Sequence, residues 1–168
     1  MNSAKSTNIL TVEDLFAALP QKARLMGLDL GTKTIGLAIS DIERSIATPF
    51  DTIRRTKFTE DARALIAFAD KQEIFAYVIG LPLNMDASEG PRAQATRAFI
   101  RNMANLDKRP FVFWDERLST AAVTRELIAQ DASRAKRAAV VDRMAAAYIL
   151  QGVLDRCATI ARKNSAGS

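Results

Sequence analysis

The chain has 168 residues, 48% of them apolar and 26% charged, and its 24 Lys and Arg against 19 Asp and Glu leave a formal charge of +5. That length suits one domain burying roughly 70% of the surface of its unfolded chain, and no apolar run approaches the roughly 20 residues of a membrane span. A single cysteine, Cys157, and the absence of histidine exclude disulfides, thiolate zinc sites, Ser-His-Asp triads and histidine bases, so catalysis must run on carboxylates, Lys, Ser, Thr or Tyr.

Residues 1–24 read as an N-terminal extension. In it Thr11 is placed to cap a short helix from Val12 to Leu19, which Pro20 stops. Glu13 and Asp14 interrupt its only apolar block, so no secretion signal is expected and the cytoplasm is the expected compartment. The folded body is expected over 25–158. Leu25 to Leu30, Ile35 to Ser40 and Ile46 to Arg54 are three strand candidates joined by short turns. From Thr59, a candidate cap, the period becomes helical through Ala62, Leu65, Ile66 and Ala69, and Ile74 to Ile79 returns to a strand.

Gly80-Leu81-Pro82-Leu83 breaks that strand, and a polar loop, Asn84 to Gly90, leads into a helix that Pro91 opens. Phe111 to Trp114 is the fifth strand. Two helices are expected after it, from about Thr120 to Gln130 with Ser119 as cap and from about Ala138 to Cys157, followed by a disordered tail over 159–168. Strands joined by tight turns must be antiparallel, whereas strands joined through helices are normally parallel. The order therefore predicts an α/β fold with a five-stranded mixed sheet, three antiparallel strands then two parallel ones, flanked by helices.

Three acids stand in unusual places. Asp29 interrupts the apolar run Leu25-Met26-Gly27-Leu28-Asp29-Leu30, where an ionised side chain costs several kcal/mol, on the order expected for a buried charge, unless something pairs it. Asp115-Glu116-Arg117 ends the fifth strand. Asp142 shares a helical stripe with Ala146, Ile149 and Val153 and so points toward the apolar face. Simpler readings stay open: Asp29 as a strand-end acid bonded to backbone N–H groups, and Asp142 as an acid complementing a helix dipole. Carboxylates gathered without His or Cys raise one another's pKa. Hard divalent cations such as Mg²⁺ or Mn²⁺ relieve that repulsion and assist phosphodiester hydrolysis.

Gly27-Leu28-Asp29-Leu30-Gly31-Thr32-Lys33, Ile35 to Asp41, Gly80-Leu81-Pro82-Leu83 with Ser88-Glu89-Gly90, Asp115 to Thr120, and Asp142 with Ala145 to Gln151 together closely resemble the YqgF family, also called RuvX, over about residues 25–156. The resemblance implies an RNase H-like fold related to Holliday-junction resolvases and a nuclease that matures the precursor of 16S ribosomal RNA. By motif, Asp29, Glu116 and Asp142 would form the acidic catalytic triad and hold Mg²⁺ or Mn²⁺. Alternation puts Asp115 and Glu116 on opposite faces, and Glu116 is favoured as the ligand. Arg117 would steady the acids or touch phosphate. Two positions depart from the family pattern: Thr34 stands where Arg is usual, and Ala87 replaces a frequent Gly.

Among the basic residues, Lys33 follows two small residues at a strand turn, and Lys136 and Arg137 belong to the run Arg134-Ala135-Lys136-Arg137 before Asp142. Each could contact substrate phosphate, or simply be a solvated surface cation. Trp114 and Cys157 read as packing residues. The expected partner is nucleic acid, precursor ribosomal RNA or branched DNA, together with the ribosome and without a membrane. Competing readings are a junction-DNA resolvase and a non-catalytic nucleic-acid-binding factor in ribosome assembly. An actin-like ATPase is a further one, but it requires two such domains around its nucleotide.

Overall fold

After Arg24, apolar residues run through β2 (Arg24–Leu30) with only Gly27 and Asp29 interrupting, because this inner strand is covered on both faces. The computed structural model describes residues 8–119 and 134–167, apart from the side chains of 134–140. β2 turns at Gly31 into β3 (Thr34–Ser40), which pairs with it antiparallel and sets Asp29 opposite Gly36; β3 then turns back into β4 (Ala47–Arg54). After α2 (Phe58–Lys71), β5 (Ile74–Leu81) lies parallel to β2, and after α3 (Pro91–Leu106), β6 (Phe111–Asp115) lies parallel to β5. These are the five strands expected, with the expected directions.

The sheet has a sixth strand. β1 (Ile9–Leu10) runs parallel to β6 at the edge, giving the order β1-β6-β5-β2-β3-β4. Two residues are too few to show a period of two, so the pattern could not announce it. The Asn8 side-chain amide donates to the carbonyls of Ala104, Asp107 and Arg109 at 3.3, 2.8 and 3.2 Å and anchors the segment. Behind it, the Thr11 hydroxyl accepts the Asp14 N–H at 3.1 Å and caps α1 (Val12–Ala18), whose Leu15 is fully buried. Residues 8–18 are therefore integral to the sheet and its covering layer.

The last helix, α4 (Arg134–Ala166), starts before Ala138 and continues well past Cys157, so most of the tail expected to be disordered is helical. The segment has no proline, only one glycine, Gly152, and many alanines, the best helix former. Lys57, not Thr59, caps α2, whose first turn is tied down by Thr56: its hydroxyl donates to Glu60 at 2.8 Å and its N–H to Asp61 at 3.1 Å. The helix expected over Thr120 to Gln130 lies outside the described residues.

Two apolar layers result. Met26, Leu28, Ile35 and Leu37 pack with residues of α2 and α3, while Leu25, Ala38, Ala76 and Val78 pack with Ala145, Ala146, Ile149 and Val153 of α4. α4 approaches this second face closely because glycines lie under it. A Cβ on Gly27 would stand 2.6 Å from the Ala146 carbonyl oxygen, and one on Gly36 would collide with the backbone of Asp142.

Candidate active site

Strand alternation decides where Asp29 points. With Leu25 and Gly27 it belongs to the α4-covered face of β2, and it is only 1% exposed. Its cross-strand partner is Gly36, and on the bare backbone of Gly36 sits the backbone of Asp142. The β2–β3 turn closes through the Gly31 N–H donating to the Thr34 carbonyl at 2.9 Å, and the Thr34 hydroxyl donates to Oδ2 of Asp142. A Cβ on Gly31 would lie 3.3 Å from that same oxygen.

Glu116 reaches the same corner from the other side. It opens the 3₁₀ turn Glu116–Leu118 after β6 and is 6% exposed, and a Cβ on Gly80 would stand 2.6 Å from its Oε1. The parallel register pairs Ile79 with Leu28, so Gly80, one step further, is level with Asp29. Asp29, Glu116 and Asp142, far apart in sequence, thus lie on one face of the sheet near the C-terminal end of β2. Among the described residues, however, no three potential ligand side chains gather closely enough to hold an ion as they stand.

Asp115 is engaged elsewhere. Its carboxylate accepts from Nη2 of Arg117 at 2.6 Å, from Nε at 3.0 and 3.1 Å, and from the Arg117 backbone N–H at 3.0 Å. The Arg117 guanidinium, above all, holds the Asp115 carboxyl below the usual carboxylate range. Nη1 of Arg117 also donates to the Met85 carbonyl at 3.2 Å, so this arginine joins Asp115 to the loop after β5. Within that loop the Asn84 amide donates to the Ser88 hydroxyl at 2.9 Å, and Ala87 takes the left-handed φ of 70° that its replacement of a glycine implies.

Lys33 is exposed in the β2–β3 turn, while Lys136 and Arg137 lie outside the described side chains. Cys157 and Trp114 pack as expected: burial pushes the Cys157 thiol up, and the Trp114 indole lies over Gly152. The link from Thr34 to Asp142 is the contact that sequence reasoning missed. Gly36 inside an apolar strand was a signal for close backbone approach, but nothing local said what would approach.

A family model described as RuvX, Holliday junction resolvase, matches residues 23–156. The chain belongs to that family. Its relatives include proteins named "Putative pre-16S rRNA nuclease" from Beijerinckia indica subsp. indica, 65% identical over 155 residues, and Methylocella silvestris, 66% identical over 151. These alignments cover 92% and 90% of this chain and 94% of each relative. Among solved structures, T. thermophilus RuvC in complex with a Holliday junction substrate superposes with a TM-score of 0.51 at 11% identity, over 82% of this chain and 97% of that one. The RNase H-like fold expected of the family is the one observed.

The corner offers carboxylate oxygens, with a hydroxyl and backbone carbonyls beside them, and neither nitrogen nor sulfur ligands. That is the donor chemistry of hard cations such as Mg²⁺ and Mn²⁺. Gly31 and Gly80 keep side-chain volume away from the oxygens of Asp142 and Glu116.

Proposed function

We propose that this protein is a Mg²⁺- or Mn²⁺-dependent nuclease that hydrolyses phosphodiester bonds in 5′-end maturation of pre-16S ribosomal RNA, working in the cytoplasm on free or ribosome-associated precursor. The observation that supports this reading is that Glu116 lies against Gly80 and Asp142 against Gly31 and Gly36, on the same sheet face and near the same strand end as buried Asp29, in a chain whose relatives bear the nuclease name. Residues 25–158 would be the catalytic unit.

Asp29, Glu116 and Asp142 would hold the metal, which supplies charge neutralisation at the phosphate and activation of the attacking water. The remaining work falls to the chain. Buried positions for Asp29 and Glu116 exclude bulk solvent from one side of the site and strengthen electrostatic interactions there. The Thr34 hydroxyl orients Asp142, and the Asp115–Arg117 pair fixes the turn from which Glu116 projects. Lys33, Lys136 and Arg137 would contact substrate phosphates, as would Arg117 if substrate draws it from Asp115.

Purified protein incubated with precursor ribosomal RNA and with a four-way DNA junction, each with and without Mn²⁺, tests this. RNA cleavage that requires the metal is expected, and Asp29→Asn or Asp142→Asn should lower it by at least about 100-fold while circular dichroism stays unchanged. Wild-type cutting rates in Asp29→Asn would remove that residue from the machinery. The family description favours one second reading, cleavage of branched DNA; preference for the junction over the RNA would establish it.

A further inference from the structure

Gly31 is a thin wall with the acidic corner on one side and a basic hollow on the other. The hollow, about 60 Å³ in volume, lies between the β2–β3 turn and α3, and its lining includes Gly31, Thr32, Arg55, Arg92, Thr96 and Phe99. That is several times the roughly 10–15 Å³ needed to seat one water. Among the described residues no carboxylate lines it.

We propose that this hollow binds a second backbone phosphate of the nucleic-acid substrate, next along the strand from the one attacked at the acids. The inference rests on the nuclease reading for its substrate class and adds a subsite to it. Three contacts fix the Arg55 guanidinium: Nη1 donates to the Gly31 carbonyl at 2.5 Å, Nε lies 3.8 Å from the Asp61 carboxylate, and the group stands 5.3 Å from the centre of the Phe99 ring. Arg92 is exposed and has no carboxylate partner among the described residues. Two guanidinium groups at the hollow against the one buried carboxylate of Asp61 leave a local excess of positive charge for phosphate oxygens to meet.

Arginine suits the task because its planar fork meets two phosphate oxygens at once, and Arg55 is already held in place, so little side-chain freedom remains to be lost. Gly31 joins the two sites: it lines the hollow, and a Cβ on it would lie 3.3 Å from Oδ2 of Asp142. A strand passing over the end of β2 therefore presents one phosphate to the acids and its neighbour to Arg55 and Arg92. Phosphate contacts of this kind set register without reading sequence.

The test measures binding in EDTA, where metal-dependent cleavage is suppressed, by fluorescence anisotropy of a labelled single-stranded RNA and a labelled four-way DNA junction over a series of KCl concentrations. Arg92→Gln should weaken binding severalfold and reduce the slope of log affinity against log salt by about one. Arg101→Gln is the control: Arg101 is exposed on the same helix, and nine residues place it half a turn round from Arg92. It should change neither quantity. Wild-type affinity and slope in Arg92→Gln, or equal losses in both variants, would overturn the site. A wild type that shows the Arg92-dependent slope yet never cuts either substrate would overturn the nuclease reading and leave the phosphate site standing; one that binds neither nucleic acid would overturn both.

Discussion

At residue scale, Thr34 has the largest effect on the acidic corner for its size. Its hydroxyl donates to an acid 108 residues away, and a hydrogen bond to a charged group contributes about 1.5–3 kcal/mol. Valine keeps the branched shape and removes the donor. Thr34→Val should therefore lower kcat for RNA cleavage by roughly tenfold, on the order of one such bond, with KM nearly unchanged, and Thr34→Ser should restore the rate. A change confined to KM would show that Thr34 does not position Asp142. The neighbouring carboxylates divide by the same local physics: Asp115 is spent on Arg117, whereas Glu116, one residue on, turns to the face carrying Asp29.

At the scale of elements, the site depends on how closely α4 lies against β2 and β3. Gly27 and Gly36 set that approach, and Asp142 is carried on the helix turn directly over Gly36. An added methyl at Gly36 meets backbone, which cannot swing aside as a flexible side chain would. Gly36→Ala is expected to destabilise the fold by about 1–3 kcal/mol, read from the urea midpoint. Cleavage per folded molecule should fall as well, because the helix must lift and take Asp142 with it. Unchanged activity in a destabilised Gly36→Ala protein would show that the carboxylate tolerates a displaced helix.

At the scale of the whole molecule, β1 and α1 cover β6 and leave only the two-residue β1 at that edge of the sheet. β1 covers β6 over Ile9 and Leu10, Leu15 is fully buried beside α4, and Glu13 meets Arg156 at 3.3 Å. The surface ion pair adds little; the buried leucine and the Asn8 hydrogen bonds carry the attachment. Leu15→Ala should cost about 2–5 kcal/mol of stability in denaturant titration. Its cleavage rate should match wild type at temperatures where both are folded, since α1 meets α4 around Leu154 to Ala158, more than three helical turns along from Asp142. A loss below 1 kcal/mol would mean that α1 is only loosely docked.

Much of this was legible in the sequence because it is local. A lone acid in the apolar run ending at Leu30, the period change after Thr59, and the order of strands and helices each lie within a few residues, where backbone geometry maps position directly onto a face. That was enough for the mixed sheet, the burial of Asp29 and the opposed directions of Asp115 and Glu116. Only the tertiary structure decided that β1 pairs with β6, that Gly80 lies under Glu116, that Thr34 grips Asp142, and that Arg55 and Arg92 share a hollow behind Gly31. Such contacts join residues tens to more than a hundred positions apart and depend on how near one layer settles on the next, which is set by the packing of many side chains together and leaves no periodic trace in any single segment.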